Sequence, residues 1–353
     1  KRMIEYLSEP TLVALVGGFG GVLLGLAARL GRFCTLGAIE DYFYGGSNAR
    51  LRMWGVAIGV AVIGTFASAA LGWINPVLTA YLAQSLNIPA SILGGLLFGY
   101  GMSMAGNCGF GALARLGGGD MRSFVIVLVM GLAAYIVMSG PLAQLRVSVF
   151  PHHPTTGEIP GIAHALGGLT GLSTNAVGIL IGAAIIIVSV IVQDGSKSSQ
   201  TYFWGTVVGL VIVSGWVGTS YVARIGFDST PIVSHTFSAP IGDTMLYAMT
   251  ASGSAINFAV GSVLGVLLGA FLGSLFKGHF RWEACEDPRE LRRQIAGAAM
   301  MGAGAIVASG CSIGQGMAAF SVRAISAPIT LASIFAGAYL GLRQLIEGFQ
   351  PAE

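Results

Sequence analysis

Charge is what this chain has least of. Only 9% of its 353 residues are Asp, Glu, Lys or Arg, against about 25% in an ordinary soluble domain. Together with 54% apolar residues and a mean hydropathy of +0.78, that scarcity excludes a water-soluble globule and leaves a polytopic membrane protein. The net charge of +3 is small and its basic residues sit in loops, so nucleic acid is not expected as a partner; membrane lipid is. The cysteines are Cys34, Cys108, Cys285 and Cys311 with no CxxC pair, which excludes a zinc or redox site of that kind. His152, His153, His164, His235 and His279 share no metal-ligand spacing, and neither a metal nor a cofactor is expected. Nucleotide-binding glycine loops and Ser-His-Asp arrangements are missing too, so the chain is read as no enzyme and as hydrolysing no ATP. No cleavable signal peptide is evident.

What the chain has in abundance is glycine, 54 residues of it, which suits close helix contact in lipid and also broken helices. Apolar runs long enough to cross a bilayer occupy 11–30, 54–73, 124–141, 176–193, 203–221, 257–276 and 327–343. Two shorter ones, 91–106 and 295–309, each run up to a cysteine. The expected fold is therefore an all-α polytopic membrane protein, one transporter domain over 1–353, with about nine transmembrane helices plus re-entrant or broken ones. The linkers 142–175 and 222–255 carry Pro, His and Thr and are expected to hold short or partial helices.

The two short runs are copies of each other. Gly94, Gly101, Cys108 and Gly111 fall, without a gap, on Gly297, Gly304, Cys311 and Gly314. A repeat of this kind is architecture before it is anything else, and it divides the chain into a first half at 11–141 and a second at 176–343. Lys277, Arg281, Arg289, Arg292 and Arg293, like Arg32, Arg50 and Arg52, mark cytoplasmic loops. Counting spans between them makes the segment before Cys108 run inward and its copy before Cys311 run outward. The repeat is thus inverted, the plan of transporters whose site lies between the halves at discontinuous helices.

Each repeat cysteine sits among glycines that permit a break: Gly109 and Gly111 after Cys108, Gly310 and Gly314 around Cys311. Cys34 has a similar setting in Gly31-Arg-Phe-Cys-Thr-Leu-Gly37. Thiols at three helix breaks mark a path for a solute that likes sulfur, and the helix N-termini beside them suit an anion. Arg115 and Arg323 are candidate steering charges for that anion or, alternatively, interfacial anchors. Asp120 is read as a local partner of Arg122 or a cap near Ser123. Thr236, Phe237 and the turn Ser238–Gly242 are candidates for lining an access cavity. Cys285, in a charged loop, is read as a bystander.

With Gly-Arg-Phe-Cys34, Gly-Asn-Cys108-Gly-Phe-Gly and Gly-Cys311-Ser-Ile-Gly-Gln-Gly lined up, the chain resembles the YeeE/YedE family of sulfur-compound transporters over nearly its whole length. The resemblance implies an hourglass-like, multi-pass inner-membrane importer of thiosulfate, handed along Cys34, Cys108 and Cys311 by S–H···S hydrogen bonds. It also implies a cytoplasmic sulfurtransferase partner of the TusA type. Other readings stay open at this level: persulfide or sulfane-sulfur transfer, sensing, or transport of a selenium compound.

Overall fold

The computed structural model describes residues 8–83, 86–151, 161–192, 199–227, 230–284 and 287–348, so Cys285, His152 and His153 lie outside the described residues. The chain is all-helical: α1 Glu9–Leu30, α2 Thr35–Phe43, α3 Ala49–Ala70, α4 Ala80–Ala83, α5 Ile88–Ala105, α6 Gly109–Gly117, α7 Met121–Met138, α8 Ala143–Val149, α9 Ile162–Thr170, α10 Thr174–Ile191, α11 Ser199–Ile225, α12 Ser238–Thr250, α13 Phe258–Phe276, α14 Pro288–Val307 and α15 Ser326–Glu347. Among the described residues, eight segments are long and apolar enough to cross a membrane; α1 with α2, and α5 with α6, each count as one. The ninth expected crossing, at 295–309, is the helix α14, but Arg289, Glu290, Arg292 and Arg293 in its first turns make that end polar. The two loop-like linkers do hold short helices, α8 and α9 in one and α12 in the other.

Glycine determines which helices touch. On α1, Gly17, Gly21 and Gly25 face the carbonyls of Phe258, Ser262 and Val266 on α13, while Gly261, Gly265 and Gly269 of α13 face those of Ala14, Gly18 and Val22. Two small-xxx-small stripes therefore interlock with the helices running in the same direction. A β-carbon at any of these six positions would collide with backbone. α3 and α11 are likewise parallel: Gly205 lies on the Met53 carbonyl and Gly209 on that of Ala57.

The central pair is α5 with α14, and it is antiparallel. A β-carbon on Gly94 would lie 2.8 Å from the Gly304 carbonyl, and one on Gly304 would lie 2.7 Å from the Gly94 carbonyl; Gly101 and Gly297 face each other's carbonyls reciprocally at 2.6 Å. Such mutual contact is what a twofold axis produces. Other contacts follow the same exchange: α1 against α13 answers α11 against α3, α5 against α15 answers α14 against α7, and α2 against α15 answers α12 against α7. α10 stands apart on the flank of α3.

One end of the bundle is basic. Lys277 donates to the carbonyls of Arg29 and Leu30 at the end of α1, and Arg29 donates to Ser274 at 2.6 Å. Asp120 caps α7, accepting from the Arg122 amide at 3.0 Å and the Ser123 hydroxyl at 3.2 Å, and it pairs with the Arg122 guanidinium at 3.3 Å.

Candidate functional site

Three helical segments begin at cysteine. Cys34 is the N-cap of α2 and Cys108 that of α6, while Cys311 precedes a helical stretch whose centre, Gly314–Ala319, is π-helical. In each case the sulfur accepts from the backbone amide of the third residue on, Gly37, Gly111 or Gly314, always at 3.4 Å. The pattern is Cys-x-x-Gly, three times over. A thiol is a weak acceptor, so these caps hold the sulfurs at the helix mouths without saturating the donors there.

The offset that sets Cys108 on Cys311 also sets Cys34 on Phe237, the N-cap of α12. Four helix N-termini thus occupy related places, and only the fourth lacks sulfur. That mouth is supplied from outside: the Phe237 amide donates to the Cys311 sulfur at 3.4 Å, and the Thr236 hydroxyl lies 3.5 Å from it.

Thr35 ties the set together. It follows Cys34 in sequence, lies 3.8 Å from the Cys108 sulfur, and reaches the hydroxyl of Ser312, next to Cys311, at 3.1 Å. Phe110 packs on Phe237 at 5.2 Å and on Phe33 at 6.4 Å, with Phe33 stacked on Trp54 at 5.0 Å. Cys108 and Cys311 are buried and Cys34 is half-buried. Polar contacts between thiols and hydroxyls therefore run through an otherwise aromatic, buried centre.

A cavity of about 500 Å³ opens on the Cys311 side. Tyr81, Arg146, Thr236, Ser238, Gly310 and Gln315 are among its lining residues, and the Gln315 amide is anchored by the carbonyls of Ala308 and Ser309. Gly314 leaves room there for the Thr236 and Tyr81 hydroxyls, 2.5 Å and 3.2 Å from where its β-carbon would stand. Gly109 makes the same allowance for the Met130 side chain.

A profile described as sulphur transport matches residues 30–340. The chain belongs to this family. It is 25% identical over 325 residues to the protein named thiosulfate transporter TsuA of Spirochaeta thermophila, covering 89% of this chain and 93% of the relative. It is also 25% identical over 327 residues to the Escherichia coli protein of the same name, with 86% of each covered. The family match spans all three Cys-x-x-Gly starts, and the chain is a multi-pass membrane protein of the YeeE/YedE type.

The two arginines read as candidate steering charges, Arg115 and Arg323, lie in different settings. Arg115 is exposed in the last turn of α6, close enough to Arg29 for mutual repulsion. Arg323 is buried with a left-handed backbone (φ 60°), its guanidinium 5.2 Å over the Phe320 ring, and it is not among the cavity's lining residues. The cation that does line the cavity, Arg146, gave no sign in the sequence, because it belongs to the short helix α8 inside a linker. Asp243 was hidden in the same way. It lies on α12 and accepts from the Tyr135 hydroxyl of α7, placing a half-buried carboxyl group between those two helices. Among the described residues no cluster of His, Cys, Asp or Glu is arranged to hold a metal.

Proposed function

We propose that the protein imports thiosulfate, or a closely related sulfur anion, across the inner membrane, through a path that passes Cys311, Cys108 and Cys34, and that it is no enzyme. The carrying observation is the meeting of three matched Cys-x-x-Gly helix starts through Thr35 and Ser312, in a chain of the sulphur-transport family. Two relatives named as thiosulfate transporters support the choice of substrate.

The chemistry is self-consistent. A dianion in an apolar span costs several kcal/mol even on lenient scales, and four helix N-termini offset part of that at its oxygens. Its terminal sulfur is soft and accepts weakly from protonated thiols, so successive weak contacts let it leave as readily as it enters. Gly109, Gly111, Gly310 and Gly314 keep the helix mouths narrow in side chain. In this reading the halves 11–141 and 176–343 enclose the path, with α10 of the second half standing on the flank of α3. Arg146 draws the anion into the cavity and Arg115 receives it at the basic end; Arg323 has no steering role. A sulfurtransferase of the TusA type would dock on that basic end.

The test is uptake of sulfur-labelled thiosulfate into proteoliposomes, wild type beside Cys108→Ser, with sulfate as the control anion. Selective uptake that the variant loses is expected. Uptake retained in the variant sinks the thiol path. A wild type that takes up nothing sinks the substrate, and intact mass would then be searched for a reductant-sensitive sulfur adduct.

A further inference from the structure

Asn107 precedes Cys108 and is 1% exposed, yet neither its side-chain nitrogen nor its side-chain oxygen has a hydrogen-bond partner in the chain. Among the described residues it is the one side chain with both polar atoms in that condition. Burying an amide without partners is costly, and native chains seldom retain one without a use for it.

Its place points to the use. A β-carbon built on Gly111 would stand 3.3 Å from the Asn107 β-carbon and 3.7 Å from the Cys108 sulfur. The Asn107 side chain therefore starts beside the Cys108 thiol, both next to the same point over the first turn of α6. The repeat adds a second indication, since the residue matching Asn107 is Gly310, which lines the access cavity in front of Cys311. In one half that position carries no side chain and Gln315 packs over it, its Cγ 3.0 Å from where a β-carbon would stand and its amide bonded to the carbonyls of Ala308 and Ser309. In the other it carries an amide with no partner in the chain, so the two approaches to the centre differ chemically where the architecture would make them alike.

We infer that Asn107 is a specificity residue: its Nδ2–H₂ donates to the oxygens of the anion while the anion's terminal sulfur rests at Cys108. This rests on the thiosulfate reading. An amide distinguishes the oxygen end from the sulfur end of the anion, because oxygen is the stronger acceptor. The substrate would thus be held in one orientation at the second thiol. Transfer is helped because the contact is made and lost with the anion, while no protein group must be displaced.

The experiment compares wild type, Asn107→Leu and Asn107→Asp in proteoliposomes, with melting temperature in detergent measured on the same preparations. Leucine removes both polar atoms at similar volume. If the amide waits for substrate, Asn107→Leu melts at or above the wild-type temperature while its KM for thiosulfate rises about ten- to hundred-fold. Asn107→Asp, which adds a negative charge beside an anion, loses uptake. Wild-type KM in Asn107→Leu overturns the inference, as does a fall of several degrees in its melting temperature, which would show a structural amide. A wild type without uptake overturns the thiosulfate reading itself, and this inference with it; the wild-type measurement separates the two failures.

Discussion

The Cys-x-x-Gly starts show how much one residue type can be asked to do. The cysteine supplies a sulfur to the helix mouth, and the glycine three residues on supplies the amide from which that sulfur accepts; at Gly111 it also leaves out a β-carbon that would stand 3.7 Å from the sulfur. Gly111→Ala isolates the second contribution. Alanine favours a helix over glycine by about 1 kcal/mol, so the variant is expected to melt no lower than wild type. Its methyl, however, enters the space between Asn107 and the Cys108 sulfur, and thiosulfate uptake is expected to fall severalfold. Unchanged uptake with unchanged Cys108 dependence would mean that this space is not on the path. The cysteines and their glycines were legible in the sequence because repeat and spacing are local. Thr35 was not: its contact with Ser312 joins residues 277 positions apart, and nothing in a Thr after Cys34 announces a partner so distant.

At the scale of elements, the two glycine stripes of α1 and α13 carry a large close-packed helix contact. In lipid there is little hydrophobic drive between helices, so this contact depends on backbone approach and the dispersion it allows. Gly265→Leu forces a side chain against the Gly18 carbonyl, and overpacking of this kind costs about 1–3 kcal/mol. A lower melting temperature in detergent is expected. Gly18→Ala is the matched control, since its β-carbon would meet only the Gly261 carbonyl at 3.6 Å, an ordinary contact. Equal melting of both variants would show that the stripe does not hold the helices. Glycine abundance was visible in the sequence, but not which glycines face which helix. Apolarity around these helices is nearly uniform, so periodicity could not assign their buried sides. For the same reason α12, with Pro240, Gly242 and Asp243 in it, read as linker.

For the whole molecule, the helix directions and the distribution of charge make one argument. The reciprocal contacts of α5 and α14 make the two copies antiparallel, as the span count from Lys and Arg requires of an inverted repeat. The twofold exchanges positions while the sequence breaks the symmetry where chemistry differs: Cys34 answers to Phe237, Asn107 to Gly310, and the basic end carrying Arg29, Arg115 and Lys277 lies opposite the cavity holding Arg146. A symmetric scaffold with unequal ends meets an anion differently from each side, while the direction of net flux follows the substrate gradient and any coupling to it. Which end faces the cytoplasm decides which end an entering anion meets first, and positive-inside reasoning puts the basic end on the cytoplasmic side. In a background with all four cysteines replaced by serine, single cysteines at Ser254, between α12 and α13, and at Arg289, at the start of α14, report the two ends. A membrane-impermeant maleimide on intact cells is expected to label the first and not the second, and permeabilised cells to label both. The reverse pattern would place the cavity with Arg146 on the cytoplasmic side, and an entering anion would then meet the basic end before the thiols.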